Sequence, residues 1–329
     1  MKKIFALLIL ALLSNYTFGQ DWKTKCPNVI ITEIYMAIGP GQSLLELSNV
    51  GTDTANLERV IVNIAQNGAK MVATTWCNLF VSKLGPTNLV PGKSIVIINN
   101  SWTTNIYGDT INSQPGYYNM LPGVLKMPKL INSTNNALRW YGGDDCCTIF
   151  WDKDNSGKIS LTSDSIIDRF GRCDLIRSVY DIAGVSQASA TSLCIRKANV
   201  AKGNAGNFLS TVGVSDSDGE WIPIQWDYSR TSSFFATTGA HGGTFPWSIS
   251  STSSTIDEAN QKITIPWGVR RDSLYKEFTW GPNMAWSIKW GPDTLGSYVA
   301  QNNDTLITYL IGSSKQVKKY GLSVASPAA

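Results

Sequence analysis

Residues 29–35 of the chain read VIITEIY, and residues 45–48 read LELS. β-Branched and aromatic residues dominate the first stretch, and apolar and polar residues alternate in the second, as in a half-buried strand. Short segments of the same kind recur along the chain, bounded by Gly, Pro, Asn or Asp. No window carries a clean helical stripe over three turns. The pattern therefore predicts an all-β protein, built as a sandwich with long loop insertions.

The predicted strands of the first part cover residues 28–36, 43–48, 60–64, 94–98, 137–141, 148–151, 165–170, 191–196 and 221–225. Residues 99–136 are rich in Asn, Ser, Thr, Pro, Gly and Tyr, and this composition predicts a long inserted loop. One helical turn is compatible with residues 175–180.

A second group of strands follows a stretch of small hydroxyl residues. Residues 248–255 read SISSTSST, which is typical of a linker. The strands predicted after it cover residues 261–266, 275–280, 285–290, 305–311 and 318–324. We therefore expect a first β-sandwich over residues 28–245, a Ser/Thr linker over 246–256 and a smaller immunoglobulin-like module over 257–329.

The first nineteen residues resemble an export signal. Lys2 and Lys3 precede an apolar run over residues 4–13, and small residues follow before Gln20. This order predicts a secretory signal peptide over residues 1–19, cleaved after Gly19. A run of this length is too short for a membrane span, which needs about 20 residues. We expect a secreted or cell-surface protein without a membrane span.

Charge excludes some partners. Charged residues make up 16% of the chain, and loss of Lys2 and Lys3 with the leader lowers the formal charge from +4 to +2. Such a balance predicts no strong nucleic-acid binding. Lys315, Lys318 and Lys319 form a short basic cluster, which we interpret as protection of an edge strand.

The six cysteines predict disulfides, because an exported chain meets an oxidising environment. Their connectivity is left open by the sequence. Cys146 and Cys147 are adjacent on a predicted strand, so their side chains should point to opposite faces and not bond to each other. The C-x2-C spacing of a zinc site does not occur.

The segment that starts at Asp152 follows the order of a calcium loop. Asp152, Asp154 and Ser156 provide oxygens at positions one, three and five, and glycine follows at position six. Ser163 stands where a bidentate Glu is usual, and Asp164 comes one residue later. We predict calcium as a candidate ligand of Asp152, Asp154, Ser156 and Asp164. A hairpin turn without metal needs the same residue types, so that alternative stays open.

Other residues that could carry chemistry have simpler explanations. A single histidine, His241, argues against Ser-His-Asp hydrolases and His-ligated zinc enzymes, and we expect it to be structural. Asp144 and Asp145 follow two glycines, which favours a solvated turn. Of twelve tryptophans, Trp102 in the predicted loop is the candidate for an exposed sugar-binding ring.

Several segments, taken in order, resemble the lamin-tail domain family in its secreted bacterial form. The first two are residues 29–35 and 45–49 (LELSN). The others are 56–57 (NL), 94–98 (SIVII), 135–141 (NNALRWY), 166–171 (IIDRFG), 193–197 (LCIRK), 220–222 (EWI) and 239–241 (GAH). The similarity covers residues 28–242, and the insertions at 99–136 and 141–165 depart from the family pattern. It implies an immunoglobulin-like sandwich that is usually non-catalytic and is often attached to exported nucleases, phosphatases or surface proteins.

We therefore expect a secreted, non-catalytic binding or adhesion protein with an extracellular protein or glycan as its ligand. One alternative is a targeting module of an exported nuclease or phosphatase whose catalytic part lies elsewhere, the chain being a piece of a longer protein. Another is a calcium-dependent carbohydrate-binding protein that uses Asp152, Asp154 and Trp102.

Overall fold

The computed structural model of the protein describes most of the two predicted units. The described residues are 25–36, 43–68, 78–84, 87–99, 130–133, 142–173, 179–215, 217–225, 241, 247–281, 284–291, 299–311 and 315–327. Within these ranges the chain is almost entirely β-structure, with one short α-helix, α1 (Ala188–Thr191), and four 3-10 turns. The all-β prediction is confirmed.

Twelve strands of the described ranges build the first sandwich. They are β1 (Val29–Met36), β2 (Ser43–Asn49), β3 (Ala55–Asn56), β4 (Val60–Ala65), β5 (Asn78–Phe80), β6 (Asn88–Leu89), β7 (Ser94–Asn99), β8 (Leu130–Ser133), β9 (Cys146–Trp151), β10 (Ser165–Phe170), β11 (Ser192–Arg196) and β12 (Trp221–Gln225). A six-stranded sheet has the order β12-β11-β1-β2-β7-β8, and a four-stranded sheet has the order β10-β9-β4-β5. The short strands β3 and β6 pair with each other.

Alternating residues of both sheets meet in one hydrophobic core. The six-stranded sheet contributes Val29, Ile31, Leu45, Leu47, Ile95 and Ile97, and the four-stranded sheet contributes Val60, Val62, Ile64, Cys147 and Ile149. A β-bulge between Ile31 and Glu33 shifts the alternation of β1 by one residue. Because of this shift, Ile34 faces the core after Ile31.

The outer face of the six-stranded sheet is also buried. All seven residues of β2 are buried, so the expected solvated face of this strand is wrong. Thr32, Glu46, Ser48 and Ser94 form a row of hydrogen bonds across three strands, with 2.6 Å between the oxygens of Thr32 and Glu46. Buried polar groups are tolerated when they bond each other, which is why alternation in β2 did not mean exposure.

Among the residues placed by the structure, seven strands build the second, smaller sandwich. They are β13 (Ile249–Ser250), β14 (Thr255–Asp257), β15 (Lys262–Ile265), β16 (Thr279–Trp280), β17 (Met284–Lys289), β18 (Thr305–Ile311) and β19 (Lys315–Val324). A five-stranded sheet has the order β14-β15-β19-β18-β17, and β13 pairs with β16. Both sheets contribute to a core around Ile263, Trp286, Leu306 and Tyr320, which shares no residue with the core of the first sandwich.

Four local expectations need correction. Residues 249–250 and 255–256 of the expected linker lie in strands of the second sandwich, because Ile249 and Ile256 pack on its core. The first half of the expected strand 275–280 belongs to a 3-10 turn, Arg271–Glu277, and only residues 279–280 form a strand. The expected loop 99–136 contains β8, which pairs with β7 in parallel. Of the expected helical turn 175–180, residues 174–178 lie outside the described residues, and α1 starts later.

Candidate functional site

The loop between β9 and β10 brings three carboxylates together. Trp151 pairs with Ser165 at the ends of the two strands, so residues 152–164 form the hairpin connection. One carboxylate oxygen from each of Asp152, Asp154 and Asp164 lies within 4.8 Å of the others. We call these three residues the acidic cluster. In the described part of the chain, this is the one group of three or more His, Cys, Asp or Glu side chains so arranged.

Asp152 is the buried member of the acidic cluster and holds the loop through backbone hydrogen bonds. Its side chain is 3% exposed, and both carboxylate oxygens accept backbone N–H bonds. Oδ1 accepts from Ser156 at 3.0 Å, and Oδ2 accepts from Gly157 at 2.8 Å. These bonds hold the turn in which Asn155 and Gly157 have positive φ of 57° and 70°. Such backbone favours Gly and Asn, which explains the residue types at these positions.

Asp154 and Asp164 complete the acidic cluster from the two ends of the loop. Asp164 accepts from the backbone N–H of Lys153 at 3.0 Å and of Ser160 at 2.7 Å. Asp154 is exposed, and hydrogen bonds from Ser156, followed by the one from the Ser163 hydroxyl, lower its pKa to about 2. The Asp154 carboxylate is therefore ionised at any pH near neutral.

Ser156 has a different role from the one that the loop pattern predicts. Its hydroxyl donates to the carbonyl oxygen of Lys158 at 3.1 Å, while its backbone N–H serves Asp152 and Asp154. Ser156 therefore acts on the acidic cluster as a hydrogen-bond donor to Asp152 and Asp154. Ile159 packs with Ile61 and Phe150 and ties the loop to the sheet.

The acidic cluster fits a hard divalent cation such as calcium. Ca²⁺ takes six to eight oxygens, and each carboxylate oxygen keeps a lone pair after accepting one N–H or O–H bond. The oxygens of Asp152, Asp154 and Asp164 would hold the ion, and backbone carbonyls or water would complete its shell. The bidentate Glu of a calcium loop is missing, since its position is occupied by Ser163. The Ser163 hydroxyl donates a hydrogen bond to Asp154 instead. Three carboxylates without that ligand correspond to a weak site.

The turn expected at residues 144–145 is present, but it is not solvated: Asp144 is half-buried and Asp145 is buried. Its side chain accepts bonds from the backbone N–H of Asn67 and of Gly142. Gly143, which comes directly after Gly142, lies against α1. A Cβ added at Gly143 would come within 2.3 Å of the Cα of Ala190. The two glycines therefore serve close packing as well as the turn.

Sequence reasoning missed a buried ion network. Asp168 of β10 pairs with Arg196 of β11, and Arg196 also pairs with Glu220. The carboxylate of Asp168 accepts further bonds from the backbone N–H of Ile31 at 2.9 Å and of Asn204 at 3.0 Å. The only sequence signal was the Ile-Asp-x-x-Gly similarity at residues 167–171, which does not identify the partner.

His241 is not part of a recognisable catalytic arrangement in the described residues. Burial, and secondarily the positive charge of Arg196, lower the pKa of His241 to about 4. Its Nε2 atom is buried without a hydrogen-bond partner. At neutral pH this histidine is uncharged, which agrees with a structural role.

In the described residues one disulfide is present, between Cys146 and Cys173. The expectation that Cys146 does not bond to Cys147 is confirmed, since Cys146 bonds to Cys173 and Cys147 points into the core. Cys194 is a buried free thiol, and Cys77 lies outside the described residues. Trp102, the candidate sugar-binding residue, and the motif at 135–141 lie outside them as well.

A cavity of about 430 Å³ opens at one end of the first sandwich, beside Cys26. Polar side chains that line the cavity bond to other protein groups. Lys25 pairs with Asp53, and Asn28 donates to the carbonyl oxygen of Ala201. None of Asp152, Asp154 and Asp164 lines this cavity. The two features are therefore separate.

No helix in the described part of the chain is long and apolar enough to cross a membrane. No family model and no curated protein matches the sequence. One solved structure, titled as a DUF4876 family protein from Bacteroides thetaiotaomicron VPI-5482, is similar at 13% identity and a TM-score of 0.29. The similarity covers 61% of this chain and 69% of that one. At a TM-score this low, nothing is transferred from that protein to this chain.

Proposed function

We propose that the protein is an exported, non-catalytic binding protein, in which calcium at the acidic cluster stiffens the hairpin loop between β9 and β10. The observation that carries the proposal is the approach of Asp152, Asp154 and Asp164 to within 4.8 Å on a loop at the end of a rigid sandwich. Loops held by a scaffold are where binding residues concentrate.

Two further features support export and binding. The disulfide between Cys146 and Cys173 suits an oxidising compartment, as does the signal-like start of the chain. The buried network of Asp168, Arg196 and Glu220 links two sheets, and its partners are backbone groups and each other, as expected for a structural role. The similarity to lamin-tail domains is a prediction that agrees with this proposal.

The calcium part is tested by thermal unfolding and titration calorimetry with CaCl₂, with MgCl₂ as a comparison. The informative variant is Asp154→Asn, because Asp154 is exposed and its loss leaves the buried anchor Asp152 in place. Asp218→Asn is a matched control: Asp218 is also exposed and bonded to a serine turn, but lies outside the acidic cluster.

We expect calcium to stabilise the native protein and the Asp218→Asn variant equally, and Asp154→Asn to bind at least about tenfold more weakly. Absence of calcium binding by the native protein would remove the metal from the proposal. Turnover of phosphodiester, phosphomonoester or glycoside substrates by the purified chain would overturn the non-catalytic part, whatever the result with calcium.

A further inference from the structure

The cavity at the end of the first sandwich has a thiol in its wall. Cys26 lines this cavity of about 430 Å³, a size that suits a small molecule. Cys26 is exposed and forms no disulfide within the described residues, whereas Cys146 and Cys173 bond to each other and Cys194 is buried. An unpaired, accessible cysteine in an exported chain indicates a reactive thiol or a sulfur partner from outside the chain.

Asn56 indicates that the cavity takes a ligand. This residue lines the cavity and is 5% exposed. Its Oδ1 atom accepts the backbone N–H of Glu58 at 2.9 Å, and its Nδ2 group donates to no atom of the described residues. A buried amide donor without an acceptor costs free energy, which an acceptor bound in the cavity recovers. The Nδ2 group is therefore placed for a carbonyl or carboxylate oxygen.

Two opposite charges lie at the same cavity. Lys25 and Asp53 both line it, and their side chains pair at 2.9 Å while they remain 66% and 64% exposed. An ion pair that is this exposed contributes little free energy, so a ligand can exchange with either partner. A zwitterionic amino acid group carries a carboxylate for Lys25 and an ammonium for Asp53. Together with Asn56, this pair matches a ligand of the amino-acid type.

We propose that Cys26 forms a mixed disulfide with a small thiol of the amino-acid class, such as cysteine or glutathione, which occupies this cavity. The Cys26 thiolate attacks one sulfur of the corresponding small disulfide, whose S–S bond breaks as the bond to Cys26 forms. The leaving thiolate takes up the proton that Cys26 released. Cys26 is thereby oxidised, and the leaving half of the small disulfide is reduced to a thiol.

Cys77 is an alternative partner for this thiol, but the register disfavours it. Cys77 directly precedes Asn78, whose backbone lies opposite Asn63 of β4. Val60 begins β4 next to Asn56 of the cavity wall, because its N–H closes a turn with the residue after Asn56. Asn63 lies about 10 Å further along the strand than Val60. A disulfide needs Cα atoms within about 7 Å of each other.

The inference rests on the proposed export of the chain but not on the calcium site, and purified protein tests it. Reduced protein is exchanged with glutathione disulfide, cystine or cystamine in mildly alkaline buffer, because partial burial raises the pKa of the Cys26 thiol. Peptide mapping follows the adduct on residue 26. Cystamine is the comparison, since it carries ammonium groups and no carboxylate. Each rate is divided by the rate with the urea-unfolded chain, which removes differences in intrinsic reactivity.

Three variants separate recognition from reactivity. Asn56→Asp keeps the acceptor for the Glu58 N–H and replaces the amide donor by a negatively charged oxygen. Lys25→Gln removes the positive charge at the cavity. Lys319→Gln is the matched control, because Lys319 is an exposed lysine of the second sandwich.

We expect the two disulfides with carboxylates to react at least about threefold faster than cystamine with the native protein, after this division. Asn56→Asp should slow them about tenfold and Lys25→Gln about threefold, while Lys319→Gln leaves them unchanged. Equal rates for the three disulfides, no adduct on residue 26, or a linked fragment of residues 26 and 77 in the protein as purified would each overturn the inference. A protein that binds no calcium should give the same rates, so the two proposals fail separately.

Discussion

Asp168 and Arg196 form an ion pair that is completely shielded from solvent, with both side chains 0% exposed. Asp168 belongs to the four-stranded sheet and Arg196 to the six-stranded sheet. The pair therefore links the two layers of the first sandwich. A β-bulge between Ile166 and Asp168 lies at this point of β10, and another lies in β1 next to Ile31, whose N–H bonds Asp168.

Removing one partner of this pair should be costly. Asp168→Ala leaves the Arg196 guanidinium buried with one counter-ion fewer, and we expect a loss of about 3–5 kcal/mol in the free energy of unfolding. The double variant Asp168→Leu with Arg196→Met should recover a large part of that loss, because no charge is then left unpaired. Urea unfolding measures both. A single variant as stable as the native protein would contradict the assignment.

The disulfide should account for a measurable share of stability. It closes a loop with a sequence separation of 27, for which the chain-entropy model gives about 3.6 kcal/mol. We expect Cys146→Ser with Cys173→Ser to lose about that amount in urea unfolding. Cys194→Ser serves as the control, because Cys194 is a buried free thiol. Peptide mapping without reductant should recover residues 146 and 173 in one linked fragment, and recovery of another pairing would refute the bond.

His241 should make stability depend on pH in mildly acidic solution. Its pKa is lowered from 6.5 to about 4 in the folded protein, so the unfolded chain binds more protons between these values. Stability therefore rises with pH through this window, by up to about 1.4 kcal/mol per pH unit. His241→Gln should flatten the profile there. Urea midpoints across this window test it, and an unchanged slope in the variant would sink the idea.

The carboxylates with lowered pKa act in a separate window. Asp154 and Asp218 both have a pKa of about 2, below the ordinary value of 3.8. Their contributions are complete above the ordinary value and disappear as pH falls toward 2. The loss of stability that these two residues cause below about pH 4 should therefore remain in the His241→Gln variant.

Two glycines should respond differently to alanine. At Gly143 an added Cβ meets the backbone of Ala190 at 2.3 Å, and we expect Gly143→Ala to cost about 3 kcal/mol. Gly92 has φ of +67° and no atom within 4 Å, so Gly92→Ala should cost about 1 kcal/mol through backbone strain alone. Thermal and urea unfolding of the two variants compare these effects. Equal losses would show that α1 yields at this contact.

The acidic cluster could be predicted in part because its residues are close in sequence. The spacing of Asp152, Asp154 and Gly157 specified a turn with inward oxygens, since short-range geometry follows from backbone preferences. Asp164 also joined the cluster, as the hairpin brings its two ends together. The role of the Ser156 hydroxyl depended on a bond to Lys158, which spacing does not reveal.

Local pattern determined that this chain forms strands, where most of them lie, and that a hairpin with three carboxylates connects two of them. Period-two alternation and turn residues act over a few positions, so they can be read along the chain. Tertiary structure alone decided which strands are neighbours, that both faces of β2 are buried, and that Asp168 meets Arg196. Those outcomes depend on contacts between residues far apart in sequence, whose energies arise from packing and desolvation after the sheets have come together.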